Sequence, residues 1–421
     1  MDHVARHFVR SGRFSIDGLD LDGLLAKHRT PFYVYSASLI RAKYAALKEH
    51  FPAFDIFFSF KANPNLAIAR MLLGLGASAD VSSLGEIKGA FKVGFKPGDI
   101  LFVGPAKTEE EVRYAIGNGI AAVIAESPEE IRMIDELAVK LNKPARIMLR
   151  INTLEKPTAA EIMVGGPSKF GIDEESAVES VRAIGLKHSE IVGVHSYAAS
   201  QSLDAEAVGA HVAYVADMAL RLAGQIGFDL KCIDFGGGFG VPYGDEDQEL
   251  DLARIALDAD RARDKVLATF PGCRLAFEVG RYLTAEAGIF VARVLRTKAS
   301  RGKEFILADG GMSQFSRPVF LNISHPVRLL NKIAEPVAGE FEVGGPVCTP
   351  LDVSAHAVPL PRPQVGDTIG FFNAGAYGYS MSMSNFMSLG WPAEIMADDG
   401  YLSVIRKAHP AEDFFVDQPL K

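Results

Sequence analysis

The chain has 421 residues, 48% of them hydrophobic, enough for two domains or for one large barrel with an appendage. Its formal charge of −8 is spread without acidic or basic blocks, which argues against nucleic acid as a partner. Cys232, Cys273 and Cys348 are odd in number and far apart, the N-terminus MDHVARHFVR has no apolar signal core, and no run approaches ~18 apolar residues, so the sequence reads as a soluble cytoplasmic protein with no membrane partner.

The first 30 residues carry no strong signal. After them, short apolar runs alternate regularly with helical patterns. The runs that predict strands are Asp55–Phe60, Ala79–Val81, Ile100–Val103, Ala121–Ala125, Arg146–Ile151, Ile191–Tyr197, Cys232–Phe235 and Leu275–Val279. Several helices open with capping signals: Ser83-x-x-Glu86, Thr108-x-x-Glu111 and Ser127-Pro128-x-Glu130. Eight strands separated by helices fit a (β/α)8 TIM barrel better than an open sheet. Past residue 280 the helical alternation stops. GIFVARVLRT, EFILADG, EFEVGGPVC and DTIGFFN are β-type runs with Gly and Pro between them, and predict a second, mostly β domain.

Uncommon residues collect at the C-terminal ends of the barrel strands, where barrel enzymes build their sites. Lys61 follows the apolar run FDIFFSF directly. Burying an ammonium is expensive, and in a partly dry site a lysine becomes a nucleophile toward carbonyls. The bland alternative is a lysine that snorkels to water. Asp80 and Glu86 follow strand two, His195 ends strand six, and Glu278 and Arg281 follow strand eight. Glu86 also has a plain capping role. The glycine run Gly236, Gly237, Gly238 continues to Gly240 after strand seven, where backbone N–H groups can approach a phosphate, although a tight turn would need the same glycines. Arg281 offers that phosphate a charge-assisted contact.

One cofactor needs all these parts. Pyridoxal 5'-phosphate requires a lysine for its aldehyde, a cradle for its phosphate and an acid against its pyridine nitrogen. Glu278 suits the nitrogen and His195 the ring face. Taken singly, Glu278 and Arg281 could pair with each other and His195 could be an ordinary core histidine; five such coincidences at one barrel end favour the cofactor.

The motifs FSFKANPN, DVSSLGEI, SKFGI, HSYAASQ, DFGGGF, FEVGR, DGGMSQFSRP, GGPVCTPLD and NAGAY, in that order, resemble the group IV pyridoxal-phosphate decarboxylases of the alanine-racemase fold, the family of diaminopimelate and ornithine decarboxylases. The resemblance spans residues from about 30 to about 390. It implies that Lys61 carries the Schiff base, that His195 stacks on the ring, and that Asp80 belongs to the cofactor site. It further implies that Ser200 and Gly236, Gly237 and Gly238 hold the phosphate with Arg281, and that Glu278 faces the pyridine nitrogen. Cys348 is implied as the acid delivered from the partner subunit of a homodimer with shared active sites. The resemblance also implies that Tyr377 closes the site and that Arg281, Arg317, Thr349 and Tyr377 face the substrate. The domains expected are a cofactor-binding barrel over 31–280 and a β domain formed by 1–30 with 281–421, which completes the active site and the dimer interface.

The departures concern the substrate. Diaminopimelate decarboxylases follow the cysteine with Glu and ornithine decarboxylases with Asp, to bind a far amine; here Thr349 and Pro350 follow Cys348. The diaminopimelate enzymes place a Tyr four residues after the arginine matched by Arg317; here it is Leu321. Cys-Thr-Pro-Leu-Asp resembles the branch with glutamyl-carrier-protein and exosortase-associated decarboxylases. The implied activity is removal of the α-carboxylate from an amino acid or a tethered or acylated aminoacyl group. The alternatives are diaminopimelate decarboxylase itself, a racemase, which the Cys348 motif disfavours, and a non-catalytic regulatory homologue.

Overall fold

Strand Asp55–Ser59 is buried along Ile56, Phe57, Phe58 and Ser59, so it has no solvent face, as expected of a parallel strand covered on both sides. The computed structural model, which describes residues 3–155, 161–244 and 246–420, pairs this strand in parallel with Ser78–Val81 on one side and Arg274–Val279 on the other. The parallel order continues through Ile100–Phe102, Ala122–Ala125, Ala145–Asn152, Ser189–His195 and Cys232–Gly237, and returns to Arg274–Val279. The eight strands close into a (β/α)8 barrel, and Ile172–Asp173 adds a short strand beside Ile151 and Asn152. Every predicted barrel strand is present, its ends within two residues of expectation.

Phe57, Leu101, Ala122, Ile124, Met148, Val192, Cys232 and Ala276 pack together as the barrel interior. Side chains alternate along a strand, so residues two further on share that face. Asp234 follows Cys232 in this way, and Glu278 follows Ala276. His195 is three residues beyond Val192 and would turn outward in a regular strand. A register shift between Ile191 and Gly193 adds the missing residue and returns His195 to the interior.

Helices Leu66–Leu75, Leu84–Val93, Glu109–Asn118, Pro128–Leu141, Glu174–Arg182, Ala205–Ile226 and Leu252–Thr269 connect the strands. The side chains of Ser83, Thr108 and Ser127 each accept the N–H three residues on. Of these three, Thr108 and Glu111 complete the reciprocal box. Glu86 and Glu130 reach one residue further back, to the N–H groups of Ser82 and Glu126.

The barrel unit comprises Lys43–Val241 and Glu249–Tyr282; the second unit comprises Met1–Ala42, Pro242–Gln248 and Leu283–Lys421. Within the second unit, the 13-residue strand Gly288–Ser300 pairs with Lys303–Ala308, Thr368–Phe371 and Phe32–Ser36. Gly339–Gly344 and Val353–Leu360 extend the sheet one way, Ala393–Asp398 and Tyr401–Arg406 the other. The sequence boundary at residue 30 fell short. Phe32–Ser36 is fully buried and zipped between Gly288–Val291 and Ala393–Ala397, so it belongs to the second unit. An apolar run of this kind reads equally well as a ninth barrel strand until its partners are known.

At Gly193 strands six and seven press so close that an added Cβ would run into the Cys232 carbonyl oxygen. Gly193→Ala should therefore lose roughly 2–3 kcal/mol of unfolding free energy by overpacking. Gly224→Ala, in open space on helix Ala205–Ile226, should gain roughly 0.5–1 kcal/mol. Urea unfolding of the two variants checks both signs.

Candidate active site

The first barrel strand ends at Ser59, and a single 3-10 turn, Phe60–Ala62, carries Lys61 out of the strand's alternation. Lys61 Nζ donates to Asp80 Oδ2 at 2.6 Å and lies 3.8 Å from Glu278 Oε2. The two carboxylates are enclosed, at 0% and 2% exposure, while the lysine side chain is 34% exposed. The sequence suggested an apolar, partly dry setting for this lysine. The structure sets it against two acids, because strands two and eight flank strand one and bring their own terminal carboxylates to it. The Tyr197 ring centroid lies 5.8 Å from the ammonium.

His195 is buried, with Nε2 3.5 Å from Glu278 Oε1. Both its ring nitrogens, Asp80 Oδ1, Asp234 Oδ2 and Glu278 Oε1 lack a hydrogen-bond donor or acceptor among the described residues. A core histidine retained for packing would have its nitrogens satisfied. So many unsatisfied polar atoms in one place are costly unless a bound group meets them.

The loop after strand seven folds back tightly. Gly236 and Gly238 have φ of +68° and +82°, which L side chains rarely adopt. An added Cβ at Gly237 would strike the Glu278 carbonyl oxygen, and at Gly238 the Ala199 carbonyl oxygen. The glycines therefore have a packing reason beside any phosphate-binding one. Arg281 Nη2 donates to Ser200 Oγ at 3.0 Å, both residues being buried. Arg281 thus turns toward the loop while Glu278 faces Lys61 and His195.

The charges are unequal partners. Burial, then the charge of Glu278, raises the Asp80 pKa, with Lys61 opposing. Asp234 is pushed well above the carboxylate range by burial and by Glu278. Glu278 is also penalised by burial, but Lys61 and His195 outweigh it and hold Glu278 below the ordinary value. Glu278 is accordingly the ionised acid of the group. Asp234 and Tyr197 were not singled out from the sequence, although an acid inside the run Cys-Ile-Asp-Phe was a visible signal.

Cys348, Thr349, Arg317 and Tyr377 belong to the second unit. Cys348 is exposed and its N–H points to Met387 Sδ at 3.1 Å. Thr349 Oγ1 accepts the Leu351 N–H at 3.3 Å. Asp352 fixes this loop by accepting the N–H groups of Met312 and Val347, each at 2.7 Å. Arg317 is buried, its guanidinium 5.6 Å from the Tyr377 ring centroid and 5.5 Å from that of Tyr243. Arg317 and Tyr377 are therefore neighbours, and Tyr243, not expected from the sequence, joins them. Tyr377 itself has φ +59°.

An amine beside an acid, a second acid held ionised, a buried imidazole and an Arg–Ser pair beside a glycine loop form the donor set that pyridoxal phosphate requires. The family described as "Pyridoxal-dependent decarboxylase, pyridoxal binding domain" matches residues 37–285. The L-glutamyl-(BtrI acyl-carrier protein) decarboxylase of Niallia circulans is 33% identical over 417 residues, covering 96% of this chain and 97% of that protein. The diaminopimelate decarboxylase of Aquifex aeolicus is 34% identical over 405 residues, 94% of each chain. The crystal structure of diaminopimelate decarboxylase from Helicobacter pylori, complexed with L-lysine, superposes with a TM-score of 0.86 at 32% identity, covering 94% of this chain and 98% of that one. The chain belongs to the pyridoxal-dependent decarboxylases. It is an amino-acid decarboxylase, and its cofactor is pyridoxal phosphate. Among the described residues no helix is long and apolar enough to cross a membrane.

Glu86 lies near this charge cluster, and its pKa is raised from 4.5 to about 7, chiefly by burial. Unfolded, the carboxyl loses its proton near the lower value; folded, near the higher. The folded chain thus holds the extra proton between them, and stability falls as pH rises through that window. Glu86→Gln keeps an acceptor for the Ser82 N–H and removes this loss. Its unfolding free energy relative to wild type should rise on the order of 1–3 kcal/mol between pH 5 and pH 8. Urea midpoints across that range test it, and a pH-independent difference contradicts the assignment.

Proposed function

We propose that the enzyme removes the α-carboxylate of an aminoacyl group whose far end is uncharged, in the manner of a carrier-tethered or acylated amino acid. The chemistry beside Cys348 carries this reading: Thr349 and Pro350 stand where a far ammonium would need a carboxylate, and Leu321 brings no hydroxyl. An ammonium buried without its counter-charge costs several kcal/mol, a hundredfold or more in affinity. A relative named for a glutamyl group on an acyl-carrier protein supports the same reading.

The roles follow. Lys61 would hold the cofactor through its aldehyde, with Asp80 beside its amine to take up or return a proton. His195 would lie against the ring of the bound cofactor and exclude water there. Ser200, Gly236, Gly237, Gly238 and Arg281 would hold the phosphate, and Glu278 would keep a proton at the pyridine nitrogen. When bound, pyridoxal phosphate acts as the sink for the electron pair released as the bond to the carboxylate breaks. Tyr377 closes the site, and Arg281, Arg317 and Thr349 orient the substrate. After CO2 leaves, Cys348 Sγ gives its proton to the α-carbon. Cys348 comes from the other subunit of a two-fold dimer. Its own exposure, together with that of Leu351 at 64% and Met387 at 41%, suits a face that a second copy covers. Three free cysteines suit a reducing cytoplasm.

Diaminopimelate decarboxylase is the second reading, favoured by the relatives of that name and opposed by Thr349 and Leu321. A non-catalytic homologue is opposed by the retention of Lys61, Cys348 and the glycine loop.

Borohydride reduction of the holoenzyme followed by peptide mapping should place the cofactor on Lys61; a label on another lysine refutes that role. Steady-state kinetics should favour an aminoacyl-carrier or N-acyl diamino acid over meso-diaminopimelate, ornithine and lysine. A kcat/KM of about 10⁴ M⁻¹s⁻¹ or more on any of the three free diamino acids overturns the uncharged-end reading.

A further inference from the structure

Asp234 is a buried ionisable group of the site to which the roles above give no task. It stands on barrel strand Cys232–Gly237 with its side chain fully enclosed. Oδ1 accepts the Gly236 N–H at 2.9 Å. Among the described residues Oδ2 has no hydrogen-bond partner, and neither has Glu278 Oε1. The two carboxyl groups are nonetheless close: Asp234, Glu278 and His195 each offer a polar atom within 4.8 Å of the others. Two enclosed carboxylates this close repel if both are ionised. One proton between them removes the repulsion and satisfies both orphaned oxygens.

The surroundings decide which acid keeps that proton. Glu278 faces Lys61 from the turn after strand one, His195 from strand six and the positive charge of Arg150 from strand five. Asp234 faces Glu278 itself, the His195 ring that both acids share, the negative charge of Asp80 from strand two, and a single backbone N–H; the Cys232 thiol below it is held neutral by burial. The charges of Lys61 and Arg150 favour the ionised form at Glu278, so the proton stays on Asp234.

We propose that Asp234 is a neutral carboxylic acid that donates its Oδ2 proton to Glu278 Oε1 and so positions Glu278 as an ionised partner for the cofactor's pyridine nitrogen. The pairing stands on the protein's own geometry; its consequence for the ring rests on the role proposed for Glu278.

Infrared difference spectra of the holoenzyme, wild type minus Asp234→Asn, should show the C=O band of a protonated carboxyl lost from the wild type across the neutral range, and Glu278→Gln should shift that band. Loss of carboxylate bands alone overturns the proposal. Asn keeps a neutral N–H donor at this position, so Asp234→Asn should lose kcat by only a few-fold. Asp234→Ala should lose about tenfold to a hundredfold in kcat with little change in KM, and should shift the visible band of the bound cofactor. Equal damage from Asn and Ala overturns the neutral donor. If the carboxyl band is present but Asp234→Ala moves neither the visible band nor kcat, the positioning role falls; the assignment of Glu278 to the ring nitrogen falls separately, if Glu278→Gln leaves the visible band of the bound cofactor unmoved. Stoichiometric divalent metal in the purified wild type, absent from Asp234→Ala, would show that His195, Asp234 and Glu278 are metal ligands instead, and would overturn it too.

Discussion

Three acids, Asp80, Asp234 and Glu278, are enclosed at one end of a barrel, and the structure around them is set by the need to make that tolerable. A buried carboxylate without a partner is among the more expensive things a fold can hold. Lys61 reaches two of the three from a turn placed just past its strand. His195 approaches Glu278 from across the interior, and needs a register shift in its strand to do so. The requirement runs outward from there: the site depends on strands one, two, six, seven and eight keeping their order and stagger, which the closed sheet enforces.

Close backbone approach is the second condition. Gly193, Gly237 and Gly238 each leave room only for hydrogen, against carbonyl oxygens of neighbouring segments. Gly193 lets strand six lie close against Cys232 of strand seven, and Gly237 and Gly238 bring the end of strand seven and its loop against Glu278 and Ala199, beside the Arg281–Ser200 pair. Packing and ligand chemistry ask for the same residue here, so a glycine-rich loop is ambiguous in sequence and specific in three dimensions.

The second unit answers a different demand. Its central strand Gly288–Ser300 gathers partners from residues 32–36, 303–308 and 368–371, segments far apart in the chain. The Cys348 loop is anchored by Asp352 rather than by its own apolar residues, which leaves Cys348 and Leu351 exposed. Arg317, by contrast, is buried between two tyrosine rings, an arrangement that orients a guanidinium while keeping its donors in one plane.

The sequence by itself determined the barrel and the chemistry of its mouth. Eight apolar runs separated by capped helices carry a periodicity that survives without tertiary context, and Lys61, Asp80, His195, Glu278 and Arg281 stand out because charged groups rarely end buried strands. The strands Val353–Leu360, Ala393–Asp398 and Tyr401–Arg406 did not stand out, because they mix polar and apolar residues and owe their form to their neighbours. Phe32–Ser36 was legible as apolar but not as part of the second unit, since nothing in a β-run states its partner. Tertiary structure alone decided which acid faces which cation. Asp234 and Glu278 are 44 positions apart, yet one closed sheet encloses both and brings their polar atoms within 4.8 Å, and burial together with that proximity pushes the Asp234 carboxyl well above its ordinary range.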